Sequence, residues 1–226
     1  MGLRWNYVLN RRPDLRIRAG LYDVDLFGTS RRTVRRIHRE GRRAICYLDA
    51  GTWERWRPDA KRFPHDVLGK RNGWPGERWL DIRRLDVLRS IMRRRLDRCR
   101  KKGFDGVEFD NVDGYVNPTG FPLTGADQLR YDAWLANAAH ARGLTAALKN
   151  DLGQVRRLRP YFDYAVNEQC FQFHECGRLE AFVRADKAVF EVEYRRVSGF
   201  CRRSRRLGFS AIRKSRSLGN AVRFCQ

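Results

Sequence analysis

Two strand-like runs in this chain end in a carboxylate and lead straight into a polar loop. Gly103-Phe104-Asp105-Gly106-Val107-Glu108-Phe109-Asp110 is followed by Asn111-Val112-Asp113-Gly114-Tyr115, and Tyr164-Ala165-Val166-Asn167-Glu168 by Gln169-Cys170. Two carboxylates at one mouth suit cleavage of a glycosidic bond, where one protonates the leaving oxygen and the other acts as nucleophile or base. Asp110 and Glu168 are the candidates for that pair. The bland alternative is a buried polar network in which Lys149 and Lys214 neutralise the acids. Clustered carboxylates also suit a divalent metal, with Mg²⁺ on Asp110, Asp113 and Glu168 as the chemically reasonable arrangement. Against it, the four histidines (His38, His65, His140 and His174) are scattered, with no HExxH or HxH spacing. Walker, GxGxxG and GxSxG motifs are missing as well, so nucleotide binding and serine hydrolysis have no support. No metal and no cofactor is expected.

The elements that must position these groups follow from the hydrophobic pattern. Short apolar, β-branched or aromatic runs at 5–10, 21–27, 44–50, 106–111, 145–150, 164–169, 188–194 and 209–214 read as buried parallel strands. Between them, helical periodicity covers 29–40, 85–102 and 125–142, each stopped by a glycine (Gly41, Gly103, Gly143). Weaker helical patterns cover 154–162, 176–185, 197–207 and 217–224. Strand and helix alternating eight times predict a single (β/α)8 TIM barrel, one domain over residues 1–226. Two stretches break the rhythm: 11–20 is too short for a full helix, and the long aromatic segment 51–80 suits a loop folded over the active face.

In such a barrel, working side chains come from the carboxyl ends of the strands. The strands carry Asp23, Asp25, Asp49, Glu108, Asp110, Glu168, Glu191 and Glu193 against only Lys149, Arg213 and Lys214. Residues two apart share a strand face, so Asp23 goes with Asp25, Glu108 with Asp110, Glu191 with Glu193, and Tyr47 with Asp49. Because an unpartnered charge is costly in the apolar layer, these acids are expected to line the barrel axis and its mouth. Val107, Phe109, Phe190 and Val192 are expected to face the helices. The whole chain is nevertheless strongly basic, with 48 Lys and Arg against 26 Asp and Glu, a net charge of +22. That charge suggests a polyanion or a membrane face, but most of it fits solvated helix surface in an arginine-rich sequence. Six cysteines, an even number, suggest paired thiols and an oxidising compartment; alone they allow fifteen pairings, or buried free thiols. The opening Met1-Gly2-Leu3-Arg4-Trp5-Asn6 lacks the apolar core of a secretory leader, so export would need a leader outside this chain or another route.

Several runs together carry a family likeness: Asp23-Val24-Asp25-Leu26-Phe27, Ile45-Cys46-Tyr47-Leu48-Asp49-Ala50-Gly51-Thr52-Trp53-Glu54, Trp56-Arg57-Pro58-Asp59-Ala60 and Gly76-Glu77-Arg78-Trp79-Leu80-Asp81-Ile82. The Glu108–Tyr115 segment, Leu148-Lys149-Asn150-Asp151, Asn167-Glu168-Gln169-Cys170 and Glu191-Val192-Glu193-Tyr194 complete it, in the same order from Trp5 to Cys225. The chain resembles glycoside hydrolase family 114, the endo-α-1,4-polygalactosaminidase family. The resemblance implies a TIM barrel that cleaves α-1,4-linked galactosamine polymer internally, with Asp110 and Glu168 as the catalytic carboxylates. An amino-sugar polymer is cationic where deacetylated, so Asp23, Asp25, Asp49, Glu191 and Glu193 are expected to bind amines, and Tyr47, Trp53 and Tyr115 to stack on sugar faces. Asp113, Lys149 and Lys214 are counted among the substrate-contacting residues. The opening strand departs from the family's Trp-Gln-Trp-Gln-like pattern and reads Trp5-Asn6-Tyr7-Val8.

The resemblance also implies secretion and supports disulfides, paired as Cys46 with Cys99, Cys170 with Cys176, and Cys201 with Cys225. A monomer is expected, with an amino-sugar polysaccharide as substrate and neither a membrane span nor a nucleic-acid partner despite the net charge. The competing reading is a catalytically silent barrel that binds carbohydrate or nucleic acid through its basic surface.

Overall fold

A computed structural model describes residues 2–225. Eight parallel strands run in sequence order: β1 (Trp5–Val8), β2 (Leu21–Asp25), β3 (Arg43–Asp49), β4 (Gly106–Asp110), β5 (Thr145–Lys149), β6 (Tyr164–Glu168), β7 (Val189–Glu193) and β8 (Ser210–Arg213). Each pairs in parallel with the next. The barrel is nearly closed: β8 carries a short antiparallel strand, Arg223–Phe224, at its free edge. It meets β1 through side chains, the Trp5 indole N–H donating to the Ser210 carbonyl at 2.7 Å. The (β/α)8 expectation holds, and the strand limits fall within two residues of those read from the sequence.

Outside the strands lie α1 (Arg31–Arg39), α2 (Leu85–Lys102), α3 (Gly125–His140), α4 (Val155–Leu158), α5 (Glu180–Val183) and α6 (Phe200–Leu207). Local chemistry sets the strong ones. Ser30 caps α1 by accepting from the Thr33 amide, Thr124 and Asp127 close a reciprocal capping box on α3, and Gly103 ends α2 at a φ of 90°. On α1, Val34 and Ile37 turn inward while Arg31, Arg32, Arg35, Arg36 and Arg39 are exposed, so this share of the net charge is solvated surface.

The helix expected at 217–224 does not form; the segment makes turns and then the Arg223–Phe224 strand. An eight-residue helix is marginal without strong packing, and Leu218 adopts a φ of 47° just before Gly219. The carbonyls of Gly219 and Asn220 are taken by Lys214 and Asn6. The segment at 176–185 opens as a 3₁₀ turn before α5, and 154–162 shrinks to the single turn of α4.

Two apolar layers result. The outer one, between strands and helices, contains Cys46, Val107, Phe109 and Leu148. The inner one fills the axis with Trp5, Tyr7, Ile45, Tyr47, Tyr164, Val166, Phe190, Val192 and Ile212. Phe190 and Val192 therefore sit on the face opposite to the one expected, with Phe190 packed edge-on against Trp5 and Tyr164.

Segment 51–80 leaves β3 and returns to α2 as a small antiparallel sheet of Thr52–Glu54, Glu77–Leu80 and Leu68–Arg71. Gly51 at its base lies so close to the Asn111 carbonyl that a Cβ would stand 1.7 Å from that oxygen. The cysteines pair as Cys46–Cys99, Cys170–Cys176 and Cys201–Cys225. Cross-linking restricts the unfolded chain more as the closed loop lengthens, and Cys46–Cys99 spans 53 residues against 6 for Cys170–Cys176. Replacing both members by Ser should cost about 4 kcal/mol for the first pair and about 2 kcal/mol for the second. Denaturant unfolding of the two double variants checks this, and the reverse order would mean that native packing, not loop closure, sets the effect.

Candidate active site

Three neighbouring strands end at the mouth in charged residues: β4 in Asp110, β5 in Lys149 and β6 in Glu168. Each is followed by a residue in the left-handed region, Asn111 at a φ of 58°, Asn150 at 52° and Gln169 at 67°. Such a residue turns the chain abruptly out of the ladder, so the charged side chain before it stays at the rim of the barrel. Asn tolerates this conformation better than most residues, and Asn150 also uses its side-chain oxygen to accept from the Glu168 amide at 3.0 Å and from Asn167 at 3.1 Å. The β5 and β6 ends are thereby tied together.

Lys149 is the hub. Its ammonium lies 3.0 Å from Asp110, 3.2 Å from Glu108 and 3.6 Å from Glu168, and donates to the Tyr7 hydroxyl at 3.1 Å. It is 1% exposed. Burial alone would strip its proton, but the carboxylates around it, Asp110 first, push its pKa well above the ordinary lysine range. Asp110 also accepts from the Tyr47 hydroxyl at 2.7 Å and from the Asn111 amide at 2.9 Å. Burial opposes its ionisation, yet Lys149, Tyr47 and that amide together hold its pKa below the usual carboxylate range. Glu168 accepts from the Tyr194 hydroxyl. Both carboxylates open into one cavity of about 650 Å³ at the mouth.

The other expected residues divide sharply. Tyr47, Asp113, Lys149 and Asp25 line the mouth, although Asp25 is paired with Arg57 at 2.5 Å. Asp113 is raised to about 6 by burial and by the charge of Asp110. Tyr115 lines a smaller cavity next door. Asp23 is buried beneath the mouth, where burial and the Glu108 charge push its pKa well above the ordinary carboxylate range. Asp49 is buried as well and pins the base of segment 51–80 by accepting from the Thr52 amide and hydroxyl and from Asn111. Lys214 is buried on Asn6 and Gly219, with burial lowering its pKa to about 7.

Glu191 and Glu193 lie on the opposite strand face from Phe190 and Val192, away from the mouth, where Glu193 accepts from the amides of Phe171 and Gln172, and burial with the Glu193 charge pushes the Glu191 pKa well up. Those two amides supply partners that the sequence argument did not anticipate. Trp53 likewise turns away, donating to the Ala60 carbonyl at 3.0 Å. Three tryptophans line the mouth, the exposed Trp56 and Trp74 (55% and 57%) and the buried Trp79, together with Glu54, Arg57, Asn72 and Glu77. Sequence reasoning missed these, and Tyr194, although the Trp-Arg-Pro run and the Gly-Trp-Pro-Gly turn around Trp74 mark a loop that presents aromatic rings.

Among the described residues, the carboxylates close enough together to share a metal are Asp49, Glu54 and Glu77, not the Asp110, Asp113 and Glu168 set. Their oxygens are already engaged: Glu54 by Arg57 at 2.6 Å, Glu77 by Asn72 at 2.6 Å, and Asp49 as above. That donor set fits an internal hydrogen-bond network better than an ion.

The sequence model of glycoside-hydrolase family GH114 matches residues 1–226. The crystal structure of Aspergillus fumigatus Ega3 in complex with galactosamine matches with a TM-score of 0.93 and 38% identity, covering 99% of this chain and 95% of that one. The glycoside hydrolase domain of PelA from Pseudomonas aeruginosa matches with a TM-score of 0.80 over 99% of this chain and 98% of that one; at 14% identity the likeness concerns the fold alone. An uncharacterized protein of Deinococcus radiodurans is 27% identical over 180 residues, 69% of this chain, and the match spans 57% of that relative's length.

Two measurements test the electrostatics. Lys149→Met strands Glu108 as an uncompensated buried charge and should cost about 3–5 kcal/mol in urea unfolding; a loss below about 1 kcal/mol would mean that the carboxylates find other partners. Glu77, whose pKa burial raises from 4.5 to about 7, binds its proton more tightly folded than unfolded. Its contribution is therefore full below pH 4.5 and declines as pH rises to about 7. Relative to Glu77→Gln, the wild type should lose stability across that window, and parallel pH profiles would refute the shift.

Proposed function

The chain belongs to glycoside-hydrolase family GH114, and from that premise we propose that its barrel mouth hydrolyses α-1,4-linked galactosamine polymer at internal bonds, using Asp110 and Glu168. The observation that carries this reading is the pair itself: two carboxylates at the ends of β4 and β6, facing one open cavity and sharing the Lys149 ammonium. The galactosamine in the Ega3 complex supports an amino sugar as the substrate unit. The three disulfides are consistent with an extracellular protein, and among the described residues no helix is long and apolar enough to cross a membrane. The reading includes a secreted monomer whose single domain spans residues 1–226.

The roles divide by environment. Asp110 accepts from Lys149, Tyr47 and the Asn111 amide, three donors that favour its charged form. It is the ionised member, acting at the anomeric carbon or on the water that attacks it. Glu168 delivers the proton to the leaving oxygen. Tyr194 and Asn150 keep Glu168 aimed, one through its carboxylate and the other through its backbone amide. Trp56 and Trp74 offer apolar ring faces on which sugars stack, and the acids near them suit a polymer that carries ammonium groups.

Partially deacetylated α-1,4-galactosamine polymer should yield internal fragments by mass spectrometry, with a rate unaffected by chelator. Asp110→Asn and Glu168→Gln should each fall by at least about 10³-fold while keeping the wild-type unfolding midpoint within a few degrees. Absence of fragments from the wild type would move the silent binding barrel ahead, and loss on chelation would favour metal chemistry. Trp56→Ala and Trp74→Ala should raise KM on long polymer by about three- to tenfold, more than they change kcat.

A further inference from the structure

Beside the mouth a second cavity, of about 370 Å³, opens between Tyr115, Asp151, Phe173 and Glu175. It is continuous with the catalytic mouth, because Asp113, Asn150, Glu168 and Gln169 line both. Glu168 thus stands at the junction of two spaces, one walled by the tryptophans of segment 51–80 and the other by Tyr115 and Phe173.

Asp151 is the unexplained group in this second wall. It follows Asn150 after β5, and with φ values of 52° and 39° the two residues carry the chain sharply off the strand. It is 3% exposed, and neither carboxylate oxygen has a hydrogen-bond partner of ordinary geometry. Nothing in the proposed reaction uses it. A buried carboxylate without a counter-charge is unfavourable, and the Tyr115 hydroxyl and the Gln154 amide, which favour its charged form, bring none. Asp113, Glu168 and Glu175 are themselves acids. Asp132, on α3, is another buried acid, its pKa pushed well up by burial and by Asp151. The one cation on the cavity wall, Arg178, is exposed and forms no ion pair among the described residues. Burial raises Asp151 to about 8, against the pull of the Tyr115 hydroxyl beside it. Phe173 is an apolar ring 58% exposed at the rim.

We infer that this second cavity is a subsite for the primary ammonium of a 2-amino sugar, with Asp151 as its counter-ion and Phe173 and Tyr115 against the sugar ring. The inference rests on the reading of the mouth as a galactosaminidase site and extends it: the polymer crosses the mouth from Trp56 and Trp74 to Phe173, and a deacetylated unit is selected beyond Glu168. An N-acetylated unit carries no cation and would leave Asp151 unpaired.

The test is equilibrium binding of two α-1,4-galactosamine pentamers, one fully deacetylated and one fully N-acetylated, to the non-cleaving Asp110→Asn protein. Adding Asp151→Asn should weaken the deacetylated pentamer by about tenfold or more, as loss of a charge-assisted contact does, and the acetylated one by less than about threefold. Phe173→Ala, on the surface and harmless to folding, should weaken both by about three- to tenfold. Equal weakening of both pentamers by Asp151→Asn would mark a structural role and overturn the inference. Affinities indifferent to Asp151→Asn, or to Phe173→Ala, would overturn it while polymer cleavage by the wild type left the functional reading standing. If the wild type neither bound nor cleaved the polymer, both would fall together.

Discussion

A single ammonium, that of Lys149, answers for three carboxylates at the centre of the barrel, and most of the inner architecture follows from it. Without that cation Glu108 has no counter-charge, and Asp110 loses the strongest influence keeping it ionised. The remaining acid, Asp23, lies buried beneath Glu108, where burial and that charge push its pKa well up and disfavour its charged form. Ion pairs so deeply buried rarely add net stability compared with an apolar core. Their persistence here suits a site that needs one carboxylate held charged beside another that exchanges a proton.

The backbone makes a matching concession. Asn111, Asn150 and Gln169 occupy a conformation that L-residues avoid, each just past the end of one of three adjacent strands. Strain of this kind persists where the surroundings over-determine it. Here the surroundings are specific: the Asn111 amide on Asp110, Asn111 on Asp49, and Asn150 on the Glu168 amide. Two of these turns thus also position the strand ends: the Asn111 amide holds the Asp110 carboxylate, and the Asn150 side chain holds the Glu168 backbone.

Much of this was legible beforehand. Eight apolar runs separated by glycine-stopped helices leave little choice but a barrel, and strand ends mark where its chemistry lies, so Asp110, Glu168 and Lys149 could be named. Alternation, however, reports two faces without saying which is inside. At β4 the acids do face the axis; at β7 the same reasoning fails, because the Phe171 and Gln172 amides offer Glu193 partners in the outer layer and Phe190 is needed to fill the axis. Such partners come from a loop distant in sequence, and no local pattern announces them. Segment 51–80 defeats pattern reading for a similar reason. Trp53 sits beside a motif and reads as functional, yet its indole is spent on Ala60, while Trp56 and Trp74 reach the mouth only because three short strands fold back on themselves.

That small sheet has a significance apart from the chemistry. It leaves the barrel wall at Gly51 and returns at Leu80, whose amide donates to the Gly51 carbonyl at 2.9 Å. The stem is therefore held shut whatever the lobe contains, with Asp49 and Gly51 fastening its base to the rim. A lobe so mounted is a cassette. Changes in its length or aromatic content would fall outside the register of the eight strands beneath, leaving the positions of Asp110, Lys149 and Glu168 as they are.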